Sequence, residues 1–552
     1  MSLNPSTQGN SAIDVIDGTV SEFYNLMDQC IRRSEVMPGQ YKSITSPSYS
    51  NNCPITESSF TTIDIGCPSP QVVDINNSFI TANVEVPITF NSAFTNLTNS
   101  STFFVGWRSS LDFLQRYIIY CNHKVVYDQV YVGEESFILQ SLIPEHVRCR
   151  RPNQYTTYDN ASNFSPDVCG TYITIQSQSE AASTGGSFTV NVKIPIKLDI
   201  NQFLLFQNFK YLPGFCGTWS IKLYPAVQNM IVCPVNPRAR LTAAEALALD
   251  NKKKPLDDYT HHFVQIGDKV KALTTCKITS DSETATFTEF TITAGKLTVE
   301  NVLYHQTQFE LMYDVYDALK ARYMARPLTI PVNKLDYGRF AGIMKNDTTS
   351  STYTAAVSNV ESIFILPFHD DNHHTICQNP EFQNFYLSIS GFGNFPQQPF
   401  NTFGNDDNHI RFLNMTLDAL NINNSPIAAP NKDLLNSLEK KKTEFYKYYY
   451  SGSSYKQEKG DPITQKLDES NFLIGIPFSN DIDFQGGLTS NGNINIKLSA
   501  TNSIINTIGQ ALNGNDCSIG ATVLFCCDCA LMIKVIPYAD QPEVRLITER
   551  IV

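Results

Sequence analysis

From Ile80 onward the chain alternates. Ile80, Ala82, Val84, Val86, Ile88 and Phe90 are apolar, and Thr81, Asn83, Glu85, Pro87 and Thr89 fill the gaps. A period of two puts the two sets on opposite sides of an extended backbone, so the stretch reads as a half-buried antiparallel strand. The pattern returns after Gly185-Gly186, where Phe188, Val190, Val192, Ile194, Ile196 and Leu198 alternate with polar residues or proline. It returns again after Gly486-Gly487, with Ile494, Ile496, Leu498 and Ala500. Each of these two runs is followed downstream by an Ile-Lys-[Leu/Val]-x-Pro strand, first within Trp219–Pro225 and then within Met532–Pro537. A glycine turn, an alternating strand and a second strand thus recur in one order. The pattern predicts two copies of one β-domain.

Phe103–Val130 is another strand-rich stretch. In the second half the strand candidates are Phe287–Ile292, Leu297–Leu303, Ile363–Phe368, Phe385–Ile389, Leu413–Leu417, Phe472–Ile476 and Val523–Ile536. Helical spacing is rarer. Thr19-x-x-Glu22 is a capping box, followed by Val20, Phe23, Met27, Cys30 and Ile31 on one face, which predicts a short helix. Phe309, Met312, Tyr316, Leu319 and Tyr323 predict a second. Asp433–Tyr449 and a short piece near Phe137–Leu142 predict two more, and Lys42–Cys53 reads as Ser/Pro/Asn-rich loop. The resulting division is an arm with a short helix over 1–57, a first β-domain over 58–237, a helical connector over 238–259 and a second β-domain with long insertions over 260–552.

Composition narrows this. A chain of 552 residues exceeds one hydrophobic core. Its 42% hydrophobic and 17% charged residues lie far from the disordered regime. The formal net charge of −12 lacks the basic footprint of a direct nucleic-acid binder. The start, Met1-Ser2-Leu3-Asn4-Pro5, has no export-signal pattern, and no apolar run is long enough to span a membrane, so no membrane span is expected. In a reducing compartment the scattered cysteines read as buried thiols.

Candidate chemistry is thin. Cys526-Cys527-Asp528-Cys529 is the densest set of metal-type ligands, but a structural zinc needs four, and only Cys517 is close in sequence. Alternation offers the other reading: Val523, Phe525, Cys527, Cys529, Leu531, Ile533 and Val535 make one apolar strand face. His369-Asp370-Asp371-Asn372-His373-His374 is either a divalent-ion loop built on His369, His373 and His374 or a polar surface turn. His261-His262 reads as exposed. Gly391-Phe392-Gly393-Asn394-Phe395-Pro396 starts like a dinucleotide loop but lacks its last glycine, and GxxxxGK[ST], HExxH and GxSxG do not occur. The basic runs Lys252–Lys254 and Lys440–Lys442 read as solvated helix ends. No catalytic residue, cofactor or metal is expected, and the chain is not expected to be an enzyme.

The tandem pattern resembles the double jelly-roll major capsid proteins, those of virophages and polinton-like viruses in particular. The residues that carry the resemblance are Tyr211-Leu212-Pro213-Gly214-Phe215 with Ser220–Pro225, then Asn471–Phe478, Asp483-Phe484-Gln485-Gly486-Gly487, Ile494–Leu498 and Leu531–Pro537. The resemblance implies an all-β chain of two tandem eight-stranded antiparallel jelly rolls, with a helical N-terminal arm and long loop insertions. It implies homotrimers shaped as pseudo-hexagonal bricks that tile an icosahedral shell around double-stranded DNA. Neighbouring capsomers, penton proteins and minor capsid proteins would be the partners, and the arm would brace neighbours from the inner side. The chain would be made in the host cytoplasm or a viral factory and reside in the virion. Two rival readings are a tandem β-sandwich carbohydrate-binding attachment or spike protein, and a minor capsid or penton protein.

Overall fold

The computed structural model describes residues 20–29, 42–47, 55–56, 60–66, 69–92, 101–107, 109–135, 169–175, 187–234, 264–266, 269–278, 283–343, 348–368, 382–402, 407–420, 446–451, 454–459, 472–478, 488, 494–502, 519–536 and 542–547. It opens with helix α1, residues 20–29. The strands that follow are β1 (Lys42–Pro47), β2 (Ile55–Thr56), β3 (Thr61–Ile65), β4 (Gln71–Ser92), β5 (Ser101–Trp107), β6 (Leu114–Cys121), β7 (Lys124–Val130) and β8 (Cys169–Ile175). Next come β9 (Ser187–Asp199), β10 (Tyr211–Pro213), β11 (Trp219–Pro225), β12 (Ile231–Pro234), β13 (Val264–Gln265), β14 (Lys269–Ile278), β15 (Glu283–Ala294) and β16 (Thr298–Glu310). Helix α2 (Tyr313–Ala325) leads into β17 (Leu328–Ile343), β18 (Thr348–Ala355), β19 (Val360–Phe368), β20 (Phe382–Ile389) and β21 (Gly393–Phe400). Helix α3 (Asp407–Ala419) precedes β22 (Tyr446–Ser451), β23 (Ser454–Lys459), β24 (Ile474–Pro477), β25 (Ile494–Asn502), β26 (Ile519–Lys534) and β27 (Glu543–Ile547).

Beyond α2 the ladders build two facing sheets, β17-β26-β19-β24 and β18-β25-β20-β21, with β27 paired to the end of β26. The first strand lies beside the last, and the second beside the next to last. That interleaving is the jelly-roll order. Before α2 the same order governs the inner strands: β11 lies between β3 and β6, and β9 pairs with β4. The two runs singled out by their alternation therefore hold equivalent places. Phe188–Leu198 lies in β9 against the second strand of its unit, and Ile494–Leu498 lies in β25 against the second strand of the other. The strands β11 and β26 correspond likewise.

The first unit is elaborated where the second is plain. β6 turns straight into β7. β4 has 22 residues and carries β9 and β10 along one edge, with β15 and β16 along the other. β15 and β16, expected from sequence as strands of the second half, thus hydrogen-bond into the first-unit sheet. β5, β8, β12 and β13 form a separate sheet.

Burial follows the alternation. Ile80, Val84, Val86, Ile88 and Phe90 of β4 are buried with Val192, Ile194, Ile196 and Leu198 of β9. Trp219 is sealed between Phe206 and Phe209, with ring centroids 5.7 and 6.0 Å away, and its indole N–H donates to the Cys216 carbonyl at 3.1 Å. In β26, Val523, Phe525, Cys527, Cys529, Leu531 and Ile533 are buried, as is Val535 just beyond it, as the alternating reading expected. Two glycines permit close packing. A Cβ on Gly338 would sit 2.3 Å from the Tyr353 ring, and one on Gly475 would sit 2.8 Å from Ala419 Cβ of α3.

Three local expectations are corrected. Lys42–Pro47, read as loop, is a strand held by antiparallel pairing to Leu303–Gln308, so a tertiary ladder overrides its Ser/Pro character. Leu413–Leu417, read as strand, lies inside α3, whose buried positions His409, Phe412, Thr416 and Ala419 follow the helical period. Tyr446–Tyr449, read as the end of a helix, begins β22, which pairs with β23 in a hairpin.

Candidate functional site: the seam between the units and an open sheet face

Helix α1 occupies the corner where the two units meet. The Tyr24 hydroxyl donates to the Asn208 carbonyl at 2.6 Å and accepts from the Lys210 N–H at 3.1 Å. The Asp28 carboxylate accepts from Lys210 Nζ at 2.7 Å and from the Tyr211 hydroxyl at 2.8 Å. On the other side Glu22 pairs with Arg322 of α2, and the fully buried Phe23 ring meets Tyr323 edge-on at 5.4 Å. Phe215 extends the cluster to Tyr316 at 5.4 Å. Because α2 runs directly into β17, α1 ties the first unit to the start of the second. This helix is docked on its own chain; residues 1–19 of the arm lie outside the described residues.

The seam continues along β17. The Tyr131 and Tyr337 rings lie 3.8 Å apart, and Asn208 Nδ2 donates to the Pro331 carbonyl at 2.9 Å. At the β6–β7 turn, Asn122 and His123 adopt left-handed backbone conformations, tolerable for short polar side chains. The Asn122 amide donates to the Pro542 carbonyl at 3.0 Å and its oxygen accepts from Thr218 N–H at 3.0 Å, which fixes the C-terminal segment to the first unit.

Behind Tyr131 one helical turn, residues 132–135, buries two adjacent carboxyls. Glu135 Oε1 accepts from the Tyr117 hydroxyl at 2.7 Å, and that oxygen accepts from Leu204 N–H at 3.3 Å. Tyr117 stacks on Tyr127 at 6.1 Å and meets Phe203 edge-on at 5.0 Å. Glu134 is close enough to feel the positive charge of Arg339 in β17 and the negative charge of Asp112. Burial pushes both glutamates up to about 8, so near neutral pH each favours its protonated form; Arg339 opposes this for Glu134, as does the Tyr117 hydrogen bond for Glu135. The seam therefore joins the two units through tyrosine rings and carboxyls that are largely neutral. Neither glutamate carries a sequence signature; only the fold brings Glu134 near Arg339 and Glu135 to Tyr117.

The outer face of the sheet β3-β11-β6-β7 is different. Trp219, Ile221 and Leu223 point inward, which leaves Ser220, Lys222 and Tyr224 outward. The registers set Tyr224 beside Arg116, Lys222 beside Ile118, and Ser220 beside Tyr120. The Lys222 ammonium sits 4.8 Å from both the Phe60 and Tyr120 rings, a cation–π arrangement. Arg116 donates from Nε to Asp128 at 2.8 Å and lies 5.7 Å from the Tyr224 ring. Phe60, Val125 and Val130 are 45%, 57% and 37% exposed. On the equivalent face of the second unit Thr522, Leu524, Phe364 and Leu366 are buried. Helix α3 covers it at Gly475, and Tyr131 packs against Tyr337, which stays 37% exposed.

Of the sites nominated from sequence, the Cys527 and Cys529 side chains are buried and Cys526 is half-buried. Cys527 Sγ lies 3.9 Å from Asp336 Oδ2, and burial raises its thiol above the ordinary range. Gly391–Pro396 forms the tip of the β20–β21 hairpin and the start of β21. His369–His374, His261, His262, Cys517 and the two lysine runs lie outside the described residues. Among the described residues no three His, Cys, Asp or Glu side chains are grouped to hold a metal ion, and no helix is long and apolar enough to cross a membrane.

No protein-family model matches the chain, and no curated protein matches it. Among solved structures it is similar to a chain in the cryo-electron microscopy structure of the Sputnik virophage, with 11% identity, 93% of this chain and 90% of that one covered, and a TM-score of 0.44. It is similar to the mavirus major capsid protein, with 10% identity, 93% and 91% covered, and a TM-score of 0.44. It is also similar to the Faustovirus major capsid protein, with 10% identity, 95% and 99% covered, and a TM-score of 0.37.

Proposed function

We propose that the chain is a major capsid protein: a structural subunit that forms homotrimeric, pseudo-hexagonal capsomers tiling an icosahedral shell around double-stranded DNA. The observation that carries this reading is the repeated strand order. β3-β11-β6 with β4-β9 in one unit matches β17-β26-β19 with β18-β25 in the other, and the seam locks the two side by side. A chain with two similar lobes gives a near six-fold ring from three copies, which is the shape that tiles a closed shell. The net charge of −12 suits a shell wall that does not itself grip the genome. In this reading the boundary between units falls at α2 rather than at residue 260, since β14, β15 and β16 join the first-unit sheet. The surfaces serve assembly rather than catalysis. Penton and minor capsid proteins are the further partners, and the virion is the location, after synthesis in the host cytoplasm or a viral factory.

Sedimentation velocity of the purified chain tests the oligomer. The expected result is one species of three chain masses. A monomer that persists at high protein concentration would overturn the reading.

A further inference from the structure

We propose that Tyr131 and Tyr337 form an oxidative modification site. A one-electron oxidant, a haem peroxidase acting with hydrogen peroxide, couples the two rings into a dityrosine. The new bond joins the first unit covalently to the second. The site stands on the seam alone and does not depend on the capsid reading. The ring centroids lie 3.8 Å apart at a tilt of 43°. Ordinary aromatic pairs keep about 4.5–7 Å between centroids. Two other tyrosine pairs of this chain do so, Tyr117 with Tyr127 at 6.1 Å and Tyr24 with Tyr211 at 6.3 Å. At the seam the hydroxyls of Tyr131 and Tyr337 also share a hydrogen bond. Rings that meet at both the centroid and the hydroxyl are aligned along their length, which sets the carbons ortho to each oxygen opposite one another.

Both rings are held for this encounter. Tyr131 follows the end of β7 with a φ of +66°, a left-handed backbone that a bulky side chain rarely adopts. Its carbonyl accepts from Glu135 N–H at 3.2 Å, which closes the turn behind it. Strain of that kind persists only where the surroundings over-determine it, and here it sits at a ring contact between the units. Tyr337 lies inside β17, paired with Leu524, and its carbonyl accepts from the Tyr353 hydroxyl at 3.1 Å. It is 37% exposed, so an oxidant can reach it, while Tyr131 is half-buried. Burial, then the hydrogen bond to Tyr337, pushes the Tyr131 hydroxyl up to about 12, so at neutral pH it keeps its proton until it is oxidised. Each phenol gives up one electron and its hydroxyl proton, leaving two phenoxyl radicals with unpaired density on the ortho carbons. Those carbons form one C–C bond, and each ring then moves its ortho hydrogen to oxygen, which restores both phenols. The chain loses two electrons and two protons, and one hydrogen peroxide takes them up to become two waters. Because the rings are already in contact, coupling within the chain outruns encounters between chains.

The test treats the purified full chain with a haem peroxidase and hydrogen peroxide, reads dityrosine fluorescence, and maps the cross-linked peptides by mass spectrometry. Tyr131→Phe and Tyr337→Phe keep both rings but remove one phenol each. Tyr120→Phe, beside Lys222 on the first unit's outer sheet face, is the control, and melting curves check every fold. The expected product is a peptide pair containing Tyr131 and Tyr337, lighter than the sum of its parts by two hydrogens. It should come from a chain that still runs at single-chain mass under denaturing conditions. Either seam variant should lower the fluorescence about tenfold or more at matched oxidant, since a pre-oriented pair couples at high effective concentration. Tyr120→Phe should match the wild type. If a seam variant folds poorly, the wild-type peptide map decides alone. Dityrosine that joins other tyrosines and not this pair would overturn the inference. So would a wild type that forms no dityrosine, or undiminished fluorescence in folded seam variants.

Discussion

Replacing Phe23 by alanine is expected to destabilise the chain by about 3–5 kcal/mol, the usual cost of emptying a buried phenylalanine site. Phe23 has no exposed surface and packs edge-on against Tyr323, which lies on the helix that carries the chain from one unit to the next. The surrounding contacts cannot close the hole cheaply. Tyr24 and Asp28 are fixed by hydrogen bonds to Asn208, Lys210 and Tyr211, so α1 cannot slide to refill it. For 552 residues unfolding together, differential scanning calorimetry should show a drop in melting temperature of roughly 3–4 °C. Phe392→Ala, at the exposed tip of the β20–β21 hairpin, should move it by no more than a degree or two. Equal effects of the two substitutions would mean that α1 is not docked on its own chain, and the clamp across the corner would have to be abandoned.

Raising the pH from about 5 to 8 is expected to weaken the seam. The folded values of Glu134 and Glu135 lie near 8, against 4.5 in the unfolded chain, and burial is the main cause. Across that window the folded state keeps protons that the unfolded state has released. Stability from these groups is therefore fully present below about 4.5, falls as pH rises, and is lost above about 8. The slope is at most about 1.4 kcal/mol per pH unit for each group. The groups acting on them are Arg339 and Asp112 at Glu134, and Tyr117 at Glu135. Glu135→Gln keeps an oxygen for the Tyr117 hydroxyl and removes the titration, so its melting temperature should fall less steeply with pH than that of the wild type. Parallel pH profiles for variant and wild type would show that Glu135 does not titrate across the seam.

Much of the fold was legible because a sheet with one buried face writes a period of two into the chain. β4, β9, β25 and β26 could be read that way, and their order exposed the duplication. Tyr316, Leu319 and Tyr323 revealed α2 by the helical period in the same manner. β17 escaped because Pro331 and Gly338 break its run, and because its pairing with β26, rather than its own composition, makes it a strand. α3 was misread because Leu413, Met415 and Leu417 alternate by coincidence on a helix whose buried stripe is His409, Phe412, Thr416 and Ala419. The attachment of β15 and β16 to β4 was invisible, since ladder partners far apart in sequence leave no mark in either strand. The seam was equally hidden. Glu134 and Glu135 carry no mark in the sequence; only the fold places Glu134 near Arg339 and Glu135 against Tyr117.

In the proposed reading, duplication lets one chain serve a near-hexagonal brick with three copies. Single-particle electron microscopy of the purified protein tests this most directly. Class averages should show a three-fold particle with six lobes of similar size around its axis. Two-lobed single chains, or rings of any other order, would contradict it.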